Sequence, residues 1–195
     1  MNFSSYVQLA VRLANTAAQA PGEPDPLSSA AACTDALGDC LAGPVTRRDL
    51  DVLRHLRAEF NAIFNAAAAG NDQAAMTRLN ALLVQFPIQP EMTNHDDQRW
   101  HVHLAPQGSV ADRFAAGAIV SVALTVSTVG VSRLGICAIA SCPRAFIDAS
   151  PSKSRRYCAE HAAARGNVST LRRQLAGPPT PASPLPSGRA APAAS

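Results

Sequence analysis

Aromatic side chains and charge are both scarce in this 195-residue chain, at 5% and 16% of positions. One Trp, two Tyr and six Phe cannot dominate a core, so any core must come from the aliphatic part of a 47% apolar composition, chiefly Ala, Leu and Val. The length allows one domain of ordinary size plus a small module. A nucleophile–base–acid set and a Gly-rich phosphate loop are both missing, which argues against an enzyme. The five cysteines are an odd number and three of them are clustered, so a disulfide framework is not expected and a reducing cytoplasm is. No Lys or Arg precedes the first apolar run, and Arg12 and Asn15 interrupt it. That run therefore reads as an internal helix, although Ala18-Gln19-Ala20 mimics a leader-cleavage site.

Charge is unevenly spread. Residues 1–132 carry eight basic and twelve acidic side chains, a net −4, whereas 133–175 carry eight basic and two acidic, a net +6. Positive charge is thus concentrated in the segment that also holds three cysteines, the pattern of a module that meets phosphate.

Hydrophobic periodicity predicts helices over 3–20, 27–41, 46–68 and 73–85, separated by Pro21–Pro26, Gly43-Pro44 and Gly70-Asn71-Asp72. Thr46 with Asp49, and Ser109 with Asp112, have the spacing of helix capping boxes with Asp in place of Glu. Cys33 and Cys40, seven apart on one helix face, read as core thiols. Residues 91–105 alternate and suggest a β-hairpin turning at Asp96-Asp97, with Trp100, Val102 and Leu104 on one face and His101 and His103 on the other. The histidines, with His95, read most simply as polar strand positions facing solvent, and a metal or ligand site is the alternative. Phe114 to Ser132 has no charge for 19 residues. That is long enough to span a bilayer, but the run is diluted with Ala, Gly, Ser and Thr, and a buried central helix is the preferred reading. The Pro/Ala/Ser stretch from 177 to 195 cannot bury enough apolar surface to order itself.

The densest chemistry lies between Cys137 and Leu175. Cys137 and Cys142 are separated by four residues, and Cys158 and His161 form a C-x2-H pair. Three thiols and an imidazole in 25 residues are the donor set of a tetrahedral zinc site. Residues 145–148 and 155–158 around a Ser-Pro-Ser-Lys-Ser turn suggest a short hairpin, followed by a helix from 159 to 175. A unit this small would draw much of its stability from the metal. A site that has lost its metal, with buried cysteines and an exposed histidine, is the competing reading.

Cys137-x4-Cys142, Phe146-Ile147-Asp148-Ala149-Ser150 and Arg155-Arg156-Tyr157-Cys158 together resemble the CGNR zinc finger. Upstream, Leu13-Ala14-Asn15-Thr16, Leu53-Arg54-His55-Leu56-Arg57 and Leu79-Asn80-Ala81-Leu82-Leu83 resemble motifs of the ABATE domain, which precedes that finger in actinobacterial proteins. The resemblance covers about residues 5 to 175. It departs at the Cys-Gly-Asn-Arg signature itself, which falls on Ala162-Ala163-Ala164-Arg165 or, with a small insertion, near Gly166-Asn167. The fourth cysteine is missing, and His161 stands close to its place.

The fold expected is mainly α with a small β-hairpin (α+β). An α-rich domain over 1–132 precedes a zinc finger of knuckle, hairpin and helix over 133–176 and a disordered tail over 177–195. The resemblance implies a DNA-binding transcription regulator linked to stress. The metal ligands expected are Cys137, Cys142, Cys158 and His161, holding Zn2+. Lys153, Arg155, Arg156, Arg165, Arg172 and Arg173 are the candidates for contact with DNA. The α-rich domain is expected to dimerise or to sense a small molecule, without membrane attachment. Asn15, Thr16 and Asn80 beside its apolar stripes are either helix-packing hydrogen bonders or pocket liners. The alternative function is a protein-interaction or ligand-binding module whose finger is only structural.

Overall fold

A computed structural model describes residues 3–17, 22–41, 43–86, 88–94, 100–105 and 107–165. Contacts divide the chain into a unit of residues 1–160 and a unit of residues 161–195, and every element named in this subsection belongs to the first. The stretches expected as a leader-like site, as the hairpin turn at Asp96-Asp97 and as a disordered tail lie outside the described residues.

Helix α1 spans Phe3–Asn15 and turns Leu9, Ala10, Leu13 and Ala14 into the core. Helix α2, Ala30–Leu37, starts later than periodicity suggests. The Asp25 carboxylate accepts the Leu27 N–H at 2.8 Å and holds a turn there, and the Ser29 hydroxyl caps the helix by accepting the Ala32 N–H. A 3-10 turn, Gly38–Cys40, extends it. Helix α3, Arg47–Ala68, begins with the expected Thr46–Asp49 capping box and buries Leu50, Leu53, Leu56, Phe60, Ile63 and Phe64. Its two motif arginines fasten the preceding loop: Arg57 makes a two-pronged ion pair with Asp25 at 2.6 and 2.8 Å, and Arg54 donates to the Leu27 carbonyl at 2.6 Å. Gly70, at φ +75°, reverses the chain into α4, Asp72–Gln85, which Asn71 caps.

Strands β1, Glu91–Thr93, and β2, His101–His103, pair antiparallel as expected. Helix α5, Val110–Val129, carries the uncharged run behind its Ser109–Asp112 capping box and packs against α1, α3 and α4. It is the one described helix long and apolar enough to cross a membrane, yet more than half of that stretch is buried inside the fold, including Phe114, Ile119 and Val122. Each such side chain contributes roughly 1.5–3 kcal/mol on burial. Asp49 ties the two capped helices together, because its carboxylate also accepts the buried Ala111 N–H at 3.0 Å, at the start of α5.

Strands β3, Leu134–Ile136, and β4, Ala145–Ile147, form a second antiparallel pair. Leu134, Ala145 and Ile147 belong to the same hydrophobic cluster as the buried faces of α1 to α5. The architecture is thus mainly helical with two small antiparallel pairs, the second at the C-terminal side of the helical part.

Candidate metal centre

The pair β3–β4 replaces the hairpin expected between 145–148 and 155–158. Two physical reasons account for the difference. Leu134 and Ile136 offer an apolar strand that packs on α3, whereas Arg155 and Arg156 do not. Residues 148–155 are instead organised by a side chain: buried Asp148 accepts the Ser150 N–H at 2.8 Å and the Arg155 N–H at 3.1 Å. Arg133, also buried, stands 3.7 Å from the Asp148 carboxylate and donates to the Asp148 and Ser150 carbonyls. Burial raises the Asp148 pKa, but hydrogen bonds from the Ser150 hydroxyl and amide and the Arg155 amide, with the charge of Arg133, outweigh it and leave it below the usual carboxylate value.

With this pairing, the two-cysteine knuckle is the connecting loop of β3 and β4. The Cys137 N–H donates to the Arg144 carbonyl at 2.9 Å and the Cys142 N–H to the Ile139 carbonyl at 2.9 Å, closing the loop. The Ala138 N–H donates to the Arg156 carbonyl at 2.8 Å, which draws the next segment alongside and delivers Cys158. A helix, α6, starts at 159 and is described to 165. Its first turn carries Glu160, which pairs with Arg144 at 2.9 Å, and then His161.

The ligand atoms of Cys137, Cys142, Cys158 and His161 all lie within 4.8 Å of one another. The three thiols are buried, with Ile139 and Tyr157 packed around them, and His161 is half-buried. The sulfurs of Cys142 and Cys158 are 4.0 Å apart. Two thiolates on a tetrahedral zinc at about 2.3 Å are separated by about 3.8 Å, so the donor set suits such an ion. Burial and the neighbouring thiols push the Cys142 thiol above its usual pKa, against a hydrogen bond from the Arg144 amide that lowers it. A cation among the three sulfurs would offset that crowding and favour their thiolate forms, and four protein donors match the closed set of a structural zinc site.

The basic residues separate into two groups. Arg155 is turned inward: its Nε donates to the Tyr157 carbonyl at 3.0 Å, Nη1 to the Ile147 carbonyl at 3.4 Å, and its guanidinium lies 5.4 Å from the Phe146 ring centroid. Lys153, Arg156 and Arg165 are exposed, and Lys153 sits at the turn with φ +50°. Arg172 and Arg173 fall outside the described residues.

Of the polar residues beside apolar stripes, Asn15 has a role that spacing alone does not reveal. Its amide donates to the Ala145 carbonyl at 3.1 Å and its oxygen accepts the Ala145 N–H at 2.7 Å. The end of α1 is thereby pinned to β4, beside the metal-binding loop. Thr16 caps the same helix end by donating to the Leu13 carbonyl at 2.7 Å, and Asn80 is exposed. Its place beside an apolar stripe pointed to a hydrogen-bonding role, but nothing in the spacing named its partner.

A helical domain that continues into a cysteine-rich, zinc-finger-like loop and helix defines the class. Residues 8–129 match the ABATE family model, described as "Putative stress-induced transcription regulator", and residues 133–174 match the CGNR zinc finger. The chain belongs to the ABATE family and carries a CGNR zinc finger at its C-terminal side. Neither description is that of an enzyme. No curated protein matches the chain.

Proposed function

We propose that the protein is a DNA-binding transcription regulator of the cytoplasm, in which one zinc ion held by Cys137, Cys142, Cys158 and His161 keeps the finger folded. The observation that carries this reading is the convergence of those four ligand atoms within 4.8 Å in the most basic segment of the chain. The zinc is structural. It fixes the knuckle loop and the start of α6, and the protein side chains meet the nucleic acid.

Lys153, Arg156 and Arg165 are the described cations that meet phosphate, with Arg172 and Arg173 further along the chain. Arg155 serves as a positioning residue that holds Phe146 and the 147–157 loop. Residues 1–132 form the part that dimerises or takes up an effector, and 133–176 the finger.

The test is binding of the full-length, zinc-loaded protein to genomic DNA fragments at several salt concentrations. Binding should weaken steeply with salt. Each of Lys153→Ala and Arg156→Ala removes one cation that neutralises a phosphate, and each should lower the slope of log K against log salt by about 1. Absence of binding at low salt by a zinc-loaded protein would discard the DNA reading in favour of a finger that binds protein.

A further inference from the structure

We propose that His101 and His103 form a second metal site, a two-imidazole chelate for a divalent transition-metal ion of the nickel, copper or zinc type. The site lies in the helical part of the chain and does not depend on the finger.

The β1–β2 register sets Glu91 opposite His103, Met92 opposite Val102 and Thr93 opposite His101. Residues directly opposite share a face of an antiparallel pair, and successive residues alternate. Val102 packs with Leu104, Ala116 and Val120, so its face is the one turned to α5. The opposite face therefore collects His101, His103, Thr93 and Glu91. Two histidines at i and i+2 on a strand point the same way and have their rings side by side. Here the ring centroids are 5.0 Å apart, inclined at 45°, and the two Nε2 atoms share a hydrogen bond at 3.0 Å.

A chelated ion would take the place of that hydrogen bond, with each ring then carrying its proton on Nδ1. A metal at about 2.05 Å from both nitrogens would subtend an angle of about 94° at 3.0 Å separation. This is close to the right angle of square-planar and octahedral coordination, and a small opening reaches the tetrahedral value. Imidazole is the side chain best suited to nickel, copper and zinc among the donors present on this face. Both rings are half-buried on a short paired strand that packs on α5, so the nitrogens are held in place before the ion arrives. Glu91, on the strand position opposite His103, adds negative charge to the same face. With two imidazoles rather than four ligands, the site binds more weakly than the finger and exchanges its ion more freely.

The experiment is a calorimetric titration of nickel(II) chloride into the untagged, zinc-loaded full chain, with bound nickel counted after dialysis. One nickel per chain should bind beyond the finger's zinc. Each of His101→Gln and His103→Gln should weaken that binding by more than about tenfold, with the finger's zinc content unchanged. A variant with an altered finger ligand, Cys158→Ser, should keep the nickel site, which separates failure of this proposal from failure of the finger. As a check on the unmodified protein, substoichiometric nickel should broaden the NMR signals of His101 and His103 before those of His55 and His161. Absence of nickel beyond the finger, broadening elsewhere first, or a folded His101→Gln chain that binds nickel like the parent would overturn the proposal.

Discussion

Asn15 acts as a strand partner from the end of a helix. Its carboxamide exchanges both hydrogen bonds with the Ala145 backbone, as a neighbouring β-strand would. Asn15→Leu removes both and leaves a part-buried amide and carbonyl unpaired, so zinc-loaded protein should lose about 1–3 kcal/mol in urea unfolding. Asp49 has a comparable reach. Burial would raise its pKa, but hydrogen bonds from the Thr46 hydroxyl and amide, the Ala111 amide and Ser109 bring it down to about 2. A carboxyl whose pKa falls on folding contributes stability above its unfolded value, near about 4, and that contribution disappears as pH falls through about 2. At pH 7 the parent should exceed Asp49→Asn by about 2 kcal/mol. The gap in unfolding midpoints should close between pH about 4 and about 2, and a gap independent of pH would contradict this account.

At the level of elements, α5 and the β3–β4 pair carry the most weight. If α5 is a core helix, Val122→Asp, at a position with 0% exposure, should abolish cooperative unfolding, whereas Val129→Asp, at 37%, should change stability by less than about 0.5 kcal/mol. A transmembrane helix would reject both. In the β3–β4 pair, a Cβ on Gly135 would stand 2.6 Å from the Phe146 ring, so Gly135→Ala should cost about 1–3 kcal/mol. The smaller side chain of Phe146→Leu should recover part of that loss in the double variant, a coupling that unfolding midpoints of the four proteins would read.

These elements also mark how far the sequence could be read. Both capping boxes, the stripe of α3 and the start of α5 were legible, because local spacing determines them. The partner of β4 was not. Pairing is a long-range choice, and the Asp148 side chain that prevents 155–158 from pairing acts through hydrogen bonds that no periodicity encodes. Of the candidate site, the thiols and His161 were recognisable from density and spacing, whereas the inward turn of Arg155 depends on the Phe146 ring and two carbonyls that only the fold brings near.

For the molecule as a whole, the charge division and the chemistry coincide. A helical part of net −4 supports a segment of net +6 in which the four candidate metal donors converge. The two parts share apolar packing through Leu134, Ala145 and Ile147, so finger stability and helical-core stability should be coupled. Chelation of the finger's zinc should accordingly lower the unfolding midpoint of the whole residue 1–160 unit rather than release a separate transition, as calorimetry with and without chelator would show. The central claim is that three thiolates and His161 hold one ion. Cobalt(II) titration of the metal-free chain, with His101→Gln present to silence the hairpin, tests it most directly. The account predicts tetrahedral sulfur-to-cobalt absorption that saturates at one equivalent, weakens in Cys158→Ser, and keeps its sulfur bands but shifts its ligand-field bands in His161→Ala. No sulfur-to-cobalt absorption, or a spectrum unaltered by either substitution, would contradict it.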